Sequence, residues 1–152
     1  MIRTVTAFPR GEIRVPPSKS LQNRAVVCAY LAGDTLEVEN PSEDIAAITR
    51  CMKALTGEGE SVRLDCGESG SALRFLLPIA AALGKNAKFT GRGRLLERPM
   101  EVFLAELRRH GVKIEQTLSD ISVWGKLKPG KYTLPGDISS QFITGLLFAL
   151  PL

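Results

Sequence analysis

Three short segments put hydroxyls and cations where helices are expected to begin. Ser18-Lys19-Ser20 is followed by Arg24, Ser69-Gly70-Ser71 by Arg74, and Ser139-Ser140 by Gln141. The first turn of a helix leaves backbone N–H groups unpaired at the positive end of its dipole, so it attracts anions. Serine hydroxyls add donors there, a lysine adds a compact charge, and an arginine adds a planar fork that grips an oxyanion at two points. Arg24 lies four residues after Ser20, so the two share one helix face. A basic loop adds Arg92, Arg94 and Arg98. Such a set suits a ligand with separate phosphate and carboxylate groups. The simpler reading makes Ser20, Ser42, Ser71 and Ser139 plain helix N-caps, which serine favours with no ligand at all. One cluster does not separate the readings, and the case for anions is the recurrence.

Other chemistries find less support. No Walker A pattern occurs. His110 is the one histidine and sits at a helix end, so no Ser-His-Asp set can be assembled. Cys28, Cys51 and Cys66 are widely spaced with no CxxC, which argues against a zinc site, and nothing in the sequence calls for a cofactor. Cys28 and Cys51 are expected in the core, and Cys66, beside a Gly-rich turn, partly exposed. Free thiols point to a reducing cytoplasm. The net charge of +4 is spread along the chain and aromatics are few, so the basicity suits small anions rather than nucleic acid. No apolar run reaches the roughly 18 residues of a membrane span, and the N-terminus lacks the apolar stretch of a signal peptide.

The elements that must position these residues follow from periodicity. At 152 residues and 44% apolar, the chain can bury a core as a single domain. Alternation predicts strands at Ile2–Phe8, Gly11–Val15, Thr35–Asn40, Ser61–Asp65, Ala87–Gly91, Val112–Thr117, Asp120–Gly125 and Lys131–Gly136. Helical spacing puts Leu21, Ala25, Cys28, Ala29 and Ala32 on one face, with Gly33 as the stop. A second helix opens at Pro41-Ser42 and buries Ile45, Ile48, Met52 and Leu55. A third runs from the Gly/Ser turn to Gly84, and Pro78 inside it is expected to bend or restart it. A fourth starts at Pro99 and buries Met100, Phe103, Leu104 and Leu107, and a fifth starts at Ser139-Ser140. The fold class is α/β (α+β) in a βαβαββ-like order, with repetition of one unit. The interval between the first two serine motifs is short, and the chain stops inside an apolar helical run, so a longer protein is expected.

Four segments together are specific. "PPSKSLQNRA" resembles the P-x-S-K-S-x-x-N-R-A signature of the 5-enolpyruvylshikimate-3-phosphate synthases. "DCGESGSALRF", "TGRGRLLERPM" and "GDISSQFITGLL" are similar to that family's Gly-rich, Arg-Pro and Ser-Ser-Gln segments, in the same order. The resemblance implies transfer of the enolpyruvyl group of phosphoenolpyruvate to the 5-hydroxyl of shikimate 3-phosphate with release of phosphate. That is a step toward chorismate and the aromatic amino acids. It also implies a fold of two inside-out α/β barrel domains, each of three βαβαββ units. Residues 1–152 would then be a partial N-terminal domain, with 1–15 pairing into the other domain.

Carried over, Lys19 is expected to meet both substrates as the catalytic cation, and Ser20 and Arg24 to hold the shikimate ring and carboxylate. Gly70 and Ser71 are expected to line the phosphoenolpyruvate phosphate and Arg98 to grip the same substrate. Ser139 and Ser140 are expected to bind the 3-phosphate, and Gln141 to span both ligands. Arg74 and Arg94 are placed behind them, and Phe75 stands where many relatives carry proline. Two departures matter. "LTGEGESVRLD" is too short for the strand pair the family has there, and the family's acid/base carboxylates come from later sequence. Alone, the chain is expected to bind weakly and turn over nothing detectable. A binding or scaffold fragment without catalysis stays open as an alternative. The related transferase acting on UDP-N-acetylglucosamine fits less well, because Ser20 replaces its asparagine and no cysteine lies in the Arg-Pro loop.

Overall fold

The computed structural model describes residues 10–13 and 15–152, and the expected strand Ile2–Phe8 lies outside them. Its centre is one unbroken βαβαββ unit. Strand β1 (Ser61–Asp65) leads into helix α3 (Gly70–Ala82), then β2 (Asn86–Thr90), α4 (Glu101–Arg109), β3 (Lys113–Gln116) and β4 (Asp120–Trp124). Preceding it are α1 (Lys19–Leu31) and α2 (Glu43–Leu55), and following it is α5 (Ser140–Ala149).

The sheet order is β1-β2-β4-β3, with β1 and β2 parallel and the other pairs antiparallel. Register follows from the alternation in sequence. Leu64, Phe89 and Ile121 line up across the strands, as do Val62, Ala87, Val123 and Ile114, and this face is turned to the core. The row between them, Arg63, Lys88, Ser122 and Glu115, makes the other face polar. Against the apolar face lies α3, buried along its whole length except at Arg74. A helix apolar all round needs cover on every side. The sheet, α2 and α5 supply it.

Of the bend or restart expected at Pro78, no restart occurs, and α3 runs through it as one helix. It cannot donate to the Arg74 carbonyl one turn back, so that oxygen is left to face outward. Gly145 of α5 packs directly on this carbonyl and on the Pro78 ring, and an added Cβ there would collide with the oxygen. The helix is thus continuous and the two helices approach closely at the flaw.

Expectation and structure part company at several other places. Thr35–Asn40 forms no strand and is mostly exposed, with Asn40 at φ 48°. A strand needs a partner for its backbone groups. Only Thr56 to Glu60 separate α2 from β1, so no neighbouring pair exists there. The described residues of Gly11–Val15 and Lys131–Gly136 also join no ladder. The latter segment is held by side chains instead: Glu106 Oε1 accepts from the Thr133 amide at 2.7 Å, and Tyr132 stacks on His110. In α1 the buried residues are Asn23, Val26 and Val27, while Leu21 is 67% exposed and Cys28 exposed. Apolar residues circle most of α1, so spacing predicts the helix but not its inner face. Cys66 is fully buried rather than partly exposed. Helix α4 starts after Pro99, with Met100 as its N-cap, and the apolar faces of α2 and α4 are buried as expected.

Candidate anion-binding site

The starts of α1, α2 and α3 are tied into a ring of polar contacts. Lys19 Nζ pairs with the Asp44 carboxylate in the first turn of α2. The Ser69 hydroxyl lies beside the Asp44 carboxylate, and the two line one concavity. Ser69 is the N-cap of α3, accepting from the Ala72 amide at 3.2 Å, and its hydroxyl lies 3.1 Å from that of Ser71. Ser71 in turn accepts from Asn23 Nδ2 at 3.1 Å, back on α1. Burial pushes the Asp44 carboxyl pKa up, but the Lys19 ammonium, the Ser69 hydroxyl and the charge of Arg98 outweigh it. Together they hold Asp44 below the ordinary carboxylate value, so it is ionised near neutral pH.

Arg98 and Arg74 converge over Gly70. A Cβ at Gly70 would stand 2.6 Å from Arg98 Nη1 and 3.2 Å from Arg74 Nη1, so only glycine lets both guanidinium groups close on the start of α3. Arg74 Nη1 donates to Gln141 Oε1 at 2.7 Å, and its guanidinium lies 5.4 Å from the Phe142 ring centre. Its Nε is buried with no acceptor among the described residues. Burial first, and Arg98 second, lower its pKa. Two cations side by side, one with a buried donor to spare, are stabilised by an anion placed between them.

Arg24 joins α1 to α5. It donates to the Ser20 carbonyl at 2.8 Å and to Thr144 Oγ1 at 3.1 Å, with the Phe75 ring 5.4 Å beneath it. Thr144 in turn donates to the Ser140 carbonyl at 3.0 Å. Ser139 caps α5 by accepting from the Gln141 amide at 3.3 Å.

Lys19, Arg24, Gly70, Ser71, Arg98 and Gln141 are thus gathered near the starts of α1, α3 and α5 by separate sets of contacts, with Arg98 held only close to Gly70. Ser20 and Ser140 are exposed and lend it their carbonyls. The capping alternative is corrected in part: the N-caps are Ser18, Ser42, Ser69 and Ser139, whereas Ser20 and Ser71 lie inside the first turn. Arg94 pairs with Glu97 at 3.1 Å out in solvent. Asn23, Asp44 and Thr144 carry much of the network and were not singled out by residue type. Asn23 is legible only as the asparagine of the first motif, and Asp44 is one of two acids, with Glu43, in the first turn of α2.

The site is an open face rather than a cavity. A concavity of about 560 Å³ lies over the polar face of the sheet, beside Arg63, Lys88 and Trp124, away from the helix starts. A smaller one of about 300 Å³ adjoins Asp44, Arg50, Ser69 and Arg92. No group of three or more His, Cys, Asp or Glu among the described residues is arranged to hold a metal ion, and no helix there is long and apolar enough to cross a membrane.

A βαβαββ unit with basic side chains gathered at helix starts is an α/β arrangement suited to anionic ligands. The sequence profile of the EPSP synthase (3-phosphoshikimate 1-carboxyvinyltransferase) family matches residues 6–152, and the chain belongs to that family. It is 38% identical over 180 aligned positions to the 3-phosphoshikimate 1-carboxyvinyltransferase of Clostridium novyi, covering 99% of this chain and 41% of that protein. With the Clostridium kluyveri enzyme it shares 40% over 163 positions, covering 93% and 38%. The solved EPSP synthase of Acinetobacter baumannii superposes with a TM-score of 0.73 at 26% identity, over 91% of this chain and 38% of that one. The chain therefore spans about two fifths of the length of these relatives. An alignment of 180 positions against 152 residues leaves at least 28 positions without a residue here.

Proposed function

We propose that this chain forms one wall of an EPSP synthase active site, the wall that binds shikimate 3-phosphate and part of phosphoenolpyruvate. In this reading it serves enolpyruvyl transfer to the 5-hydroxyl, with release of phosphate. The observation that carries the reading is the convergence of Lys19, Arg24, Arg74 and Arg98 on helix starts linked by hydrogen bonds to Gln141 and Thr144. Both substrates are multiply anionic and repel each other, so fixed cations and helix N-termini must offset that repulsion before the reacting atoms can meet.

Arg24 and Ser20 suit the shikimate carboxylate and ring, and Ser139 and Ser140 its 3-phosphate. Arg98, with the amides of Gly70 and Ser71, suits phosphoenolpyruvate. Lys19 and Gln141 stand between the two, with Lys19 the catalytic cation. The chain is then a partial N-terminal domain, and its free cysteines suit a reducing cytoplasm.

An enolpyruvyl transfer assay on the chain alone is expected to show no turnover, while calorimetry shows weak binding of shikimate 3-phosphate that Arg24→Ala abolishes. Absence of heat at millimolar ligand would overturn the reading in favour of a bare scaffold. Robust turnover would contradict the assignment of one wall only.

A further inference from the structure

Among the cations of the site, Lys19 differs in how it is held. The Arg24 and Arg74 guanidinium groups rest on aromatic rings and are bonded to α5. Lys19 is 56% exposed, and its one ion pair among the described residues is with Asp44. A flexible four-carbon stem gains little from a surface ion pair alone. Asp44 is not such a partner. Its side chain is 25% exposed, it lies beside the Ser69 cap of α3, and it is in the field of Arg98. Other ion pairs of the chain, such as Arg94–Glu97 and Arg50–Asp65, have both members largely in solvent and link no two helix starts of the site. Holding an ionised carboxylate within an anion-binding face weakens the attraction for a ligand unless that carboxylate organises the cations. Asp44 stands where it can organise them, paired with Lys19 of α1 and beside Ser69, whose contact with Ser71 leads back to Asn23 of α1.

We propose that Asp44 is a positioning residue: it fixes the Lys19 ammonium and the Ser69 cap against each other, so that the starts of α1 and α3 present one preset anion site. The ligand side of this inference rests on the function proposed above, and the contact side does not.

The test therefore has two readouts on the 152-residue chain. In the first, lysines are acylated with N-hydroxysuccinimidyl acetate and the rate at each is read by peptide mass spectrometry. Asp44→Asn is expected to speed acylation of Lys19 by roughly two- to fivefold, with Lys131 unchanged. Asp44→Glu is expected to restore much of the protection, and Glu43→Gln in the same turn to have no effect. Equal Lys19 rates in wild type and Asp44→Asn, with both folded by circular dichroism, would overturn the proposal. In the second, phosphoenolpyruvate is titrated into the chain and followed by NMR. Asp44→Asn is expected to weaken binding by about tenfold, with partial rescue by Asp44→Glu. Tighter binding in Asp44→Asn would show a competitor for Lys19 rather than a positioner, and would also overturn it. If the wild-type chain binds no phosphoenolpyruvate, the functional reading fails and the acylation rates alone decide the role of Asp44.

Discussion

Residues 61–124 and residues 15–60 each carry a serine-and-cation helix start of the site but are held together by different means. The later region closes a four-stranded sheet over α3, with Phe75, Phe89 and Phe103 each fully buried. The earlier one has two helices and, among its described residues, no strand. Helix α2 packs on α3 and β1 through Ile48, Met52 and Leu55. Helix α1 has a narrower apolar seam, Val26 and Val27 with the half-buried Tyr30 and Leu31, and adds polar links through Lys19, Asn23 and Arg24. Half of the site thus stands on the sheet-backed unit and half on a helix whose narrower apolar seam is supplemented by polar contacts. Such contacts add about 1 kcal/mol each to stability and are sensitive to geometry.

This contrast can be broken or sharpened by substitution. Phe89→Ala, in the middle of the sheet, is expected to cost about 3–5 kcal/mol and to unfold the whole chain in a urea titration. A loss confined to the sheet would show that the two regions unfold separately. Gly145→Ala forces a methyl into the Arg74 carbonyl and is expected to cost about 1–3 kcal/mol, with broadened Gln141 signals as α5 lifts from α3. Val26→Ala is expected to cost about 2 kcal/mol, read as faster amide exchange in α1 while 61–124 stays protected. Asn23→Ala leaves the Ser71 hydroxyl without its donor and is expected to cost about 1 kcal/mol, again localised to α1.

The smallest effect comes with acid. The folded pKa of Asp44 is depressed, so its contribution is complete above the unfolded value of about 3.9 and fades as pH falls through the lower folded value. Lys19 acylation corrected for lysine protonation, or the α1 amide signals, should accordingly stay unchanged from pH 7 to about 5 and shift only below about pH 4.

Much of the later region was legible in sequence because strict alternation in Ser61–Asp65, Asn86–Thr90 and Asp120–Trp124 and the stripe Phe103, Leu104 and Leu107 each admit one inner face. Thr35–Asn40 alternates just as well, yet forms no strand, because pairing depends on a neighbour that local pattern does not report. The inner face of α1 was misread because apolar residues surround it and the one deciding residue, Asn23, is polar. The site residues showed through four motifs, but their wiring did not. Asp44 looks like any first-turn acid until its contacts with Lys19 and Ser69 are seen, and the exposed carbonyl that accommodates Gly145 exists only because Pro78 sits a turn later.

The most direct test of the account is calorimetric titration of shikimate 3-phosphate into the wild-type chain, Arg24→Ala and Arg63→Ala. Arg24 lies in the network and Arg63 on the opposite, polar face of the sheet. The account predicts weak but measurable binding to wild type and Arg63→Ala, with loss of at least about tenfold in affinity for Arg24→Ala. Equal binding by Arg24→Ala and wild type, or loss with Arg63→Ala instead, would contradict a binding wall built on the helix starts.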